Sequence, residues 1–112
     1  MTPLADIAAA VRDCVVAAWV DTRTGEVCER VVADARHDPA FIATALDVAT
    51  EVMRSRERPP RMVLLSPHHV HIVQRLARDP HRVLVVVCAR SANLGLAVAL
   101  VRSFTDAGAE AA

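Results

Sequence analysis

The sequence predicts an α+β sandwich, one five-stranded antiparallel sheet packed by helices. Three observations predict it. Apolar segments of strand length come as a pair near the N-terminus and as a group of three later on. Segments with helical spacing precede, separate and follow them. The six prolines, at 3, 39, 59, 60, 67 and 80, punctuate these segments and interrupt none that is strongly periodic. The order is helix, two strands, helix, three strands, helix, an arrangement that buries one sheet under helices.

Thr2 and Pro3 can open the first helix, with Thr2 as cap and Pro3 in the first turn. Leu4, Ile7, Ala8 and Val11 then recur at helical spacing. Cys14 to Val20 is rich in Val and Ala and reads as a buried strand. Asp21-Thr22-Arg23-Thr24-Gly25 is a turn in which Gly25 can take positive φ. Glu26 to Val32 returns as a second strand, with Val27, Glu29 and Val31 on one face and Cys28, Arg30 and Val32 on the other.

Asp38-Pro39 starts the clearest helix, Asp38 as cap and Pro39 at the first helical position, running to Ser55. Phe41, Ile42, Ala45, Leu46, Val48, Ala49, Val52 and Met53 fall on one arc of roughly 160°. A helix lying on a sheet needs only about 100°. The excess calls for a second apolar contact. Asp47, Glu51 and Arg54 mark the wet side.

Pro59-Pro60 breaks the polar corner after this helix. Met62 to Leu65 is the third strand, and Ser66-Pro67-His68 turns it. Val70 to Leu76 is the fourth, followed by a turn at Arg78-Asp79-Pro80-His81. Val83 to Cys88 is a continuous apolar run, as expected of the strand at the centre of the sheet. Ser91 can cap a last helix with Leu94, Ala97, Val98, Val101 and Phe104 inward. The expected domain spans 1–107, with 108–112 as a frayed tail after Gly108.

Composition excludes several function classes. Thirteen basic residues balance thirteen acidic ones, and aromatics are 3% of the chain. That is neither the basic footprint nor the stacking platform of a nucleic-acid binder. Near-zero charge leaves little repulsion against self-association. Cys14, Cys28 and Cys88 are odd in number and widely spaced, which argues against a disulfide framework and for a reducing compartment. The start shows no secretory pattern, and no apolar run approaches the ~20 residues of a membrane span. A cytoplasmic protein without membrane insertion is expected.

The break Ala89-Arg90-Ser91-Ala92-Asn93 between two apolar runs is the one candidate loop for chemistry. It fails as a phosphate cradle: Gly95 alone is present, and no Lys follows at the Walker spacing. Ser91 lacks a nucleophile-elbow context, and Cys88 lies in the apolar run, where a thiol is inert. The bland reading holds: Ser91 caps, Asn93 bonds to backbone in the first turn, and Gly95 lets the helix approach a neighbour closely. No catalytic residue and no cofactor are expected.

The same corner carries a resemblance. "VVVCARSANLGLAVALVR" (85–102), with Asn93-Leu94-Gly95-Leu96 and Arg102, together with the hairpin "VDTRTGEV" (20–27), resembles bacterial roadblock/dynein-light-chain (roadblock/LC7) domains over about residues 4–106. The resemblance implies a roadblock-like α-ββ-α-βββ-α sandwich. It further implies a non-catalytic homodimer that regulates or scaffolds a small Ras-like GTPase in a polarity or motility complex. The alternative is a structural adaptor that binds another protein without a GTPase. The stretch "SPHHVHIVQRLARDPHR" (66–82) departs from the family's commoner Gly-rich turn and leaves the partner open.

Two site expectations follow. His69 and His71 share a strand face at a spacing metal sites use, with Asp79, His81 and Cys88 as possible further donors. The simpler reading is a solvent-facing strand surface, and a small metal protein or enzyme is the least favoured class. The second expectation is a dimer seam. Phe41, Ala45, Val48 and Val52 on the over-wide helix would meet their copies about a two-fold axis. The resemblance adds that the third strand, Met62 to Leu65, pairs edge to edge with its copy, with Met62 and Leu64 in the seam.

Overall fold

Eight elements alternate as the hydrophobic periods predict, and the computed structural model describes residues 3–55 and 57–110. Helix α1 (Leu4–Ala10) buries Leu4 and Ile7. Its N-cap is Pro3 and no side chain caps it; the cap assigned to Thr2 lies outside the described residues. Asp13 turns the chain into the sheet at φ 58°, a left-handed conformation that a short polar side chain tolerates. Strands β1 (Cys14–Asp21) and β2 (Val27–Val32) form the expected hairpin. Its turn is held by Asp21, whose Oδ1 accepts from Arg23 N–H at 2.8 Å, and by Gly25 at φ 77°.

Helix α2 (Pro39–Met53) starts where Asp38 Oδ1 accepts from Ala40 N–H at 2.8 Å. Strands β3 (Arg61–Leu65), β4 (His69–Leu76) and β5 (Asp79–Ala89) follow. Here one expectation fails. The turn at 78–81 is tighter than predicted, and β5 already begins at Asp79, opposite Leu76. Pro80 is tolerated near the strand start, where a missing ladder N–H costs least.

The last helix, α3, spans Leu94–Glu110, backbone alone being described from 106 on. It begins later than a Ser91 cap would require. Asn93 is the cap: its Oδ1 accepts from Leu96 N–H at 3.1 Å, while Ser91 is exposed. The helix runs through Gly108 to Glu110, and residues 111–112 lie outside the described ones.

All neighbouring strands are antiparallel, in the order β2-β1-β5-β4-β3. β5 is central, and each of Val83–Cys88 is buried. Burying one Val or Leu side chain contributes about 1.5–3 kcal/mol. Alternation along the strands feeds two cores. Trp19, Ile72, Leu84 and Val86 meet α1 and α3 on one face; Val20, Val73, Val83 and Val85 meet α2 on the other. A single helix covers the second face, lying mainly over β1, β5 and β4.

Candidate protein interface

α2 divides its apolar arc between two surroundings. Ile42, Leu46, Ala49 and Met53 point into the core, each 3% exposed or less. Thr50 joins them by satisfying its hydroxyl within the helix, donating to Leu46 O at 2.7 Å. The opposite flank stays open: Val48 is 49% exposed, and Phe41 and Val52 are half-buried. Ala45, placed on the expected seam, lies between the two flanks and is buried.

Beside this flank runs β3, the edge strand. Met62 and Leu64 pack half-buried against the α2 core. Val63, in register with Ile72, points to the other face and is 38% exposed, and Leu65 at the strand end is 61% exposed. An edge strand apolar on both faces is not built to face water. Between α2 and β3 lies an open apolar groove of about 500 Å³, lined by Phe41, Ala45, Val48, Leu64, Leu65 and His71 among others. Sequence reasoning named most of these residues. It expected edge pairing over Met62 to Leu65 and named Met62 and Leu64 as the seam residues.

The histidines are not on an open strand surface. His69 and His71 face α2 and pack on Phe41, with ring centroids 4.5 and 6.4 Å from it. His37, from the loop before α2, joins them, its Nε2 3.0 Å from His69 Nε2. One of the two nitrogens donates and the other accepts. Ser66 Oγ lies 3.3 Å from His71 Nε2 and also donates to His69 O. Burial pushes His69 below the usual histidine range, helped by nearby His37 and His68. Burial, then His69, does the same for His71. Asp34 Oδ2 is 3.6 Å from His37 Nδ1. Hydrogen bonds from the Arg36 side chain hold that carboxyl well below the usual carboxylate range.

As metal ligands His69 and His71 are not joined by the further donors expected from the sequence. Asp79 and His81 sit at the far end of β5, and Cys88 points into the α1/α3 core. Among the described residues no group of three or more His, Cys, Asp or Glu side chains converges as a metal ion would require.

The corner after β5 is structural. Arg90 Nη1 donates to Ser66 O at 3.3 Å, and Arg90 N–H to His68 O at 3.1 Å. These bonds tie the corner to the histidine turn. A Cβ at Gly95 would meet nothing nearer than Asn93 Oδ1 at 3.6 Å, an ordinary contact. The expected close approach of helix to sheet at Gly95 is therefore absent within one chain; the glycine sits in the exposed first turn.

At the other end of α2, Arg75 reaches from β4 beneath the helix terminus. Its guanidinium donates to Met53 O at 2.6 Å, to Ser55 O at 3.2 Å and to Pro80 O. The side chain satisfies carbonyls that a helix C-terminus leaves without partners. A cation at that position in a strand gives no sequence signal for this role.

No family model matches the chain, and no curated protein does. Solved structures do. The gliding protein MglB from Thermus thermophilus superposes with a TM-score of 0.76 at 17% identity, over 93% of this chain and 81% of that one. MglC from Myxococcus xanthus gives 0.74 at 14% identity, over 92% and 90%. A roadblock/LC7 domain from Streptomyces avermitilis gives 0.71 at 11% identity, over 93% and 89%. With TM-scores above 0.7 over more than nine-tenths of this chain, the fold is that of a roadblock/LC7 domain.

Proposed function

We propose that this chain is a non-catalytic, homodimeric roadblock protein that regulates or scaffolds a small Ras-like GTPase in a complex of the motility or polarity type. The observation that carries the reading is the groove between α2 and β3, with Val48 and Leu65 49% and 61% exposed on one chain. A second copy, antiparallel about a two-fold axis, would cover α2 with α2 and extend the sheet through β3. The likeness to gliding-motility structures, one of them MglB in a tetrameric arrangement, supports the motility context and self-association.

The chemistry is consistent with binding rather than turnover. Ser91 is exposed and makes no contact with a base. Cys88 is fully buried, and burial raises its thiol above the usual range. No nucleic-acid or membrane-inserted role is proposed; among the described residues no helix is long and apolar enough to cross a membrane.

The test takes each Ras-like GTPase from the cell that makes the protein. Binding to the purified chain is measured, then hydrolysis and nucleotide exchange with and without it. Binding by one of them, with either rate changed or with a third protein recruited, supports the reading. If none binds, the GTPase assignment falls and a structural adaptor remains. GTP turnover by the chain alone would overturn its non-catalytic character.

A further inference from the structure

Cys14 and Cys88 stand directly opposite each other on the central strands β1 and β5. Both belong to the core under α1 and α3, so both side chains point the same way. Their neighbours settle the kind of pair. Ala89 N–H donates to Asp13 C=O at 3.0 Å, which makes Asp13 and Ala89 the hydrogen-bonded pair. Alternation then puts Cys14 and Cys88 at a non-hydrogen-bonded position, where side chains come closest and Cα atoms are roughly 4.5 Å apart. A disulfide spans about 4.4–6.8 Å between Cα atoms. The backbone beside Cys14 is also irregular, with left-handed Asp13 before it and a bulge between Cys14 and Val16 after it. A bulge lets that strand adjust where a regular ladder would resist.

Access is the obstacle, and α1 controls it. Cys14 is 8% exposed and Cys88 is fully buried, beneath a core that includes Leu4, Ile7, Ala8 and Val11. Burial, then the neighbouring Cys88, pushes the Cys14 thiol up to about 12. The closed molecule therefore presents no thiolate. Yet α1 has seven residues and no side-chain cap. A helix that short has little stability of its own and is held by packing Leu4 and Ile7 on the sheet.

We propose that Cys14 and Cys88 are a dithiol–disulfide pair, oxidised by a low-molecular-weight disulfide when α1 lifts from the sheet. With α1 open, the Cys14 thiolate attacks one sulfur of oxidised glutathione and expels glutathione thiolate. The mixed disulfide on Cys14 is then attacked by the Cys88 thiolate, which expels the second glutathione. One S–S bond breaks and one forms. Two protein thiols are oxidised, one small disulfide is reduced, and the two protons pass to the leaving thiolates. Cys28 is excluded from the pair, since it is exposed on the edge strand β2.

The experiment uses the folded chain carrying Cys28→Ser, incubated with oxidised glutathione at mildly alkaline pH. Non-reducing digestion and mass spectrometry should find the Cys14 and Cys88 peptides linked, with loss of two hydrogens and recovery of both thiols on reduction. Adding Cys88→Ser should stop the reaction at a glutathione adduct on Cys14. Ile7→Ala, which loosens α1, should speed oxidation at least several-fold. If that variant does not fold, urea below the unfolding transition replaces it. Thiols that stay reduced in the folded chain while the denatured chain oxidises would overturn the pair. A stable Cys14 adduct beside a free Cys88 would do the same. A rate indifferent to α1 would overturn the gating.

Discussion

Val48→Glu separates the stability of one chain from the stability of a dimer. Val48 is 49% exposed, so in a single chain the new carboxylate keeps its water. The fold should change by no more than about 0.5 kcal/mol, as at ordinary surface sites. In the proposed seam the same position is covered by the second copy. Burying an unpaired carboxylate costs several kcal/mol; a rim position that keeps part of its hydration carries about 2 kcal/mol of that. Two-fold symmetry counts it twice, giving about 4 kcal/mol, or roughly a thousandfold in Kd. Phe41→Glu is a poorer probe, because Phe41 also holds the histidine cluster. Light scattering over a micromolar concentration series, with urea unfolding in parallel, reads both quantities. Ala43→Glu, exposed and outside the groove, is the control. A wild type that is monomeric at tens of micromolar refutes the reasoning. So does a Val48→Glu chain that associates as tightly as wild type.

Three further outcomes are expected. Gly95→Ala should raise the melting temperature, gaining up to about 1 kcal/mol of helix propensity, because a methyl group there meets nothing closer than 3.6 Å; a lower melting temperature would mean that a contact from a second chain occupies the space. Arg75→Met keeps the apolar stem but abandons the carbonyls of Met53, Ser55 and Pro80, and should lower the unfolding free energy by about 2–4 kcal/mol; urea titration showing a smaller loss would demote the cap. Lowered folded-state values of His69 and His71 mean that the unfolded chain takes up protons first, so stability should fall as pH drops below about 6.5. Asp21 and Asp34 are lowered from a value near 3.8, so they act only in stronger acid and do not mask this window. The pH slope between 7.5 and 5.5 should shrink in His69→Asn; an unchanged slope would remove His69 from the account.

The parts of the fold legible in the sequence are those written in local chemistry. Asp38-Pro39 announces α2 because a cap and a preset φ act within one turn. The run from Val83 to Cys88 announces a buried strand because only a strand covered on both faces can be apolar throughout. The over-wide arc of α2 is likewise local, and the structure leaves one flank of it open. What stayed hidden depends on contacts between distant segments. His37 reads as a loop residue until β4 brings His69 beside it, 32 positions on. Arg75 carries no local sign of its role, which appears only where α2 ends above it. Ser91 and Asn93 offer the same cap chemistry, and where the chain leaves the sheet decides between them.

α2 is held at both ends, away from Val48 at the middle of its outer flank. At the start Asp38 caps it and Phe41 is wedged among histidines; at the finish Arg75 grips its last carbonyls. The helix is thereby denied rotation about its own axis. One residue of helix corresponds to about 100°, so a roll of that size would present Asp47 where Val48 now stands. The identity of the surface offered to a partner is thus decided by an arginine and a phenylalanine at its two limits. A variant at Arg75, which lies outside the groove, should change partner affinity by turning the helix, with every residue of the contact itself unaltered.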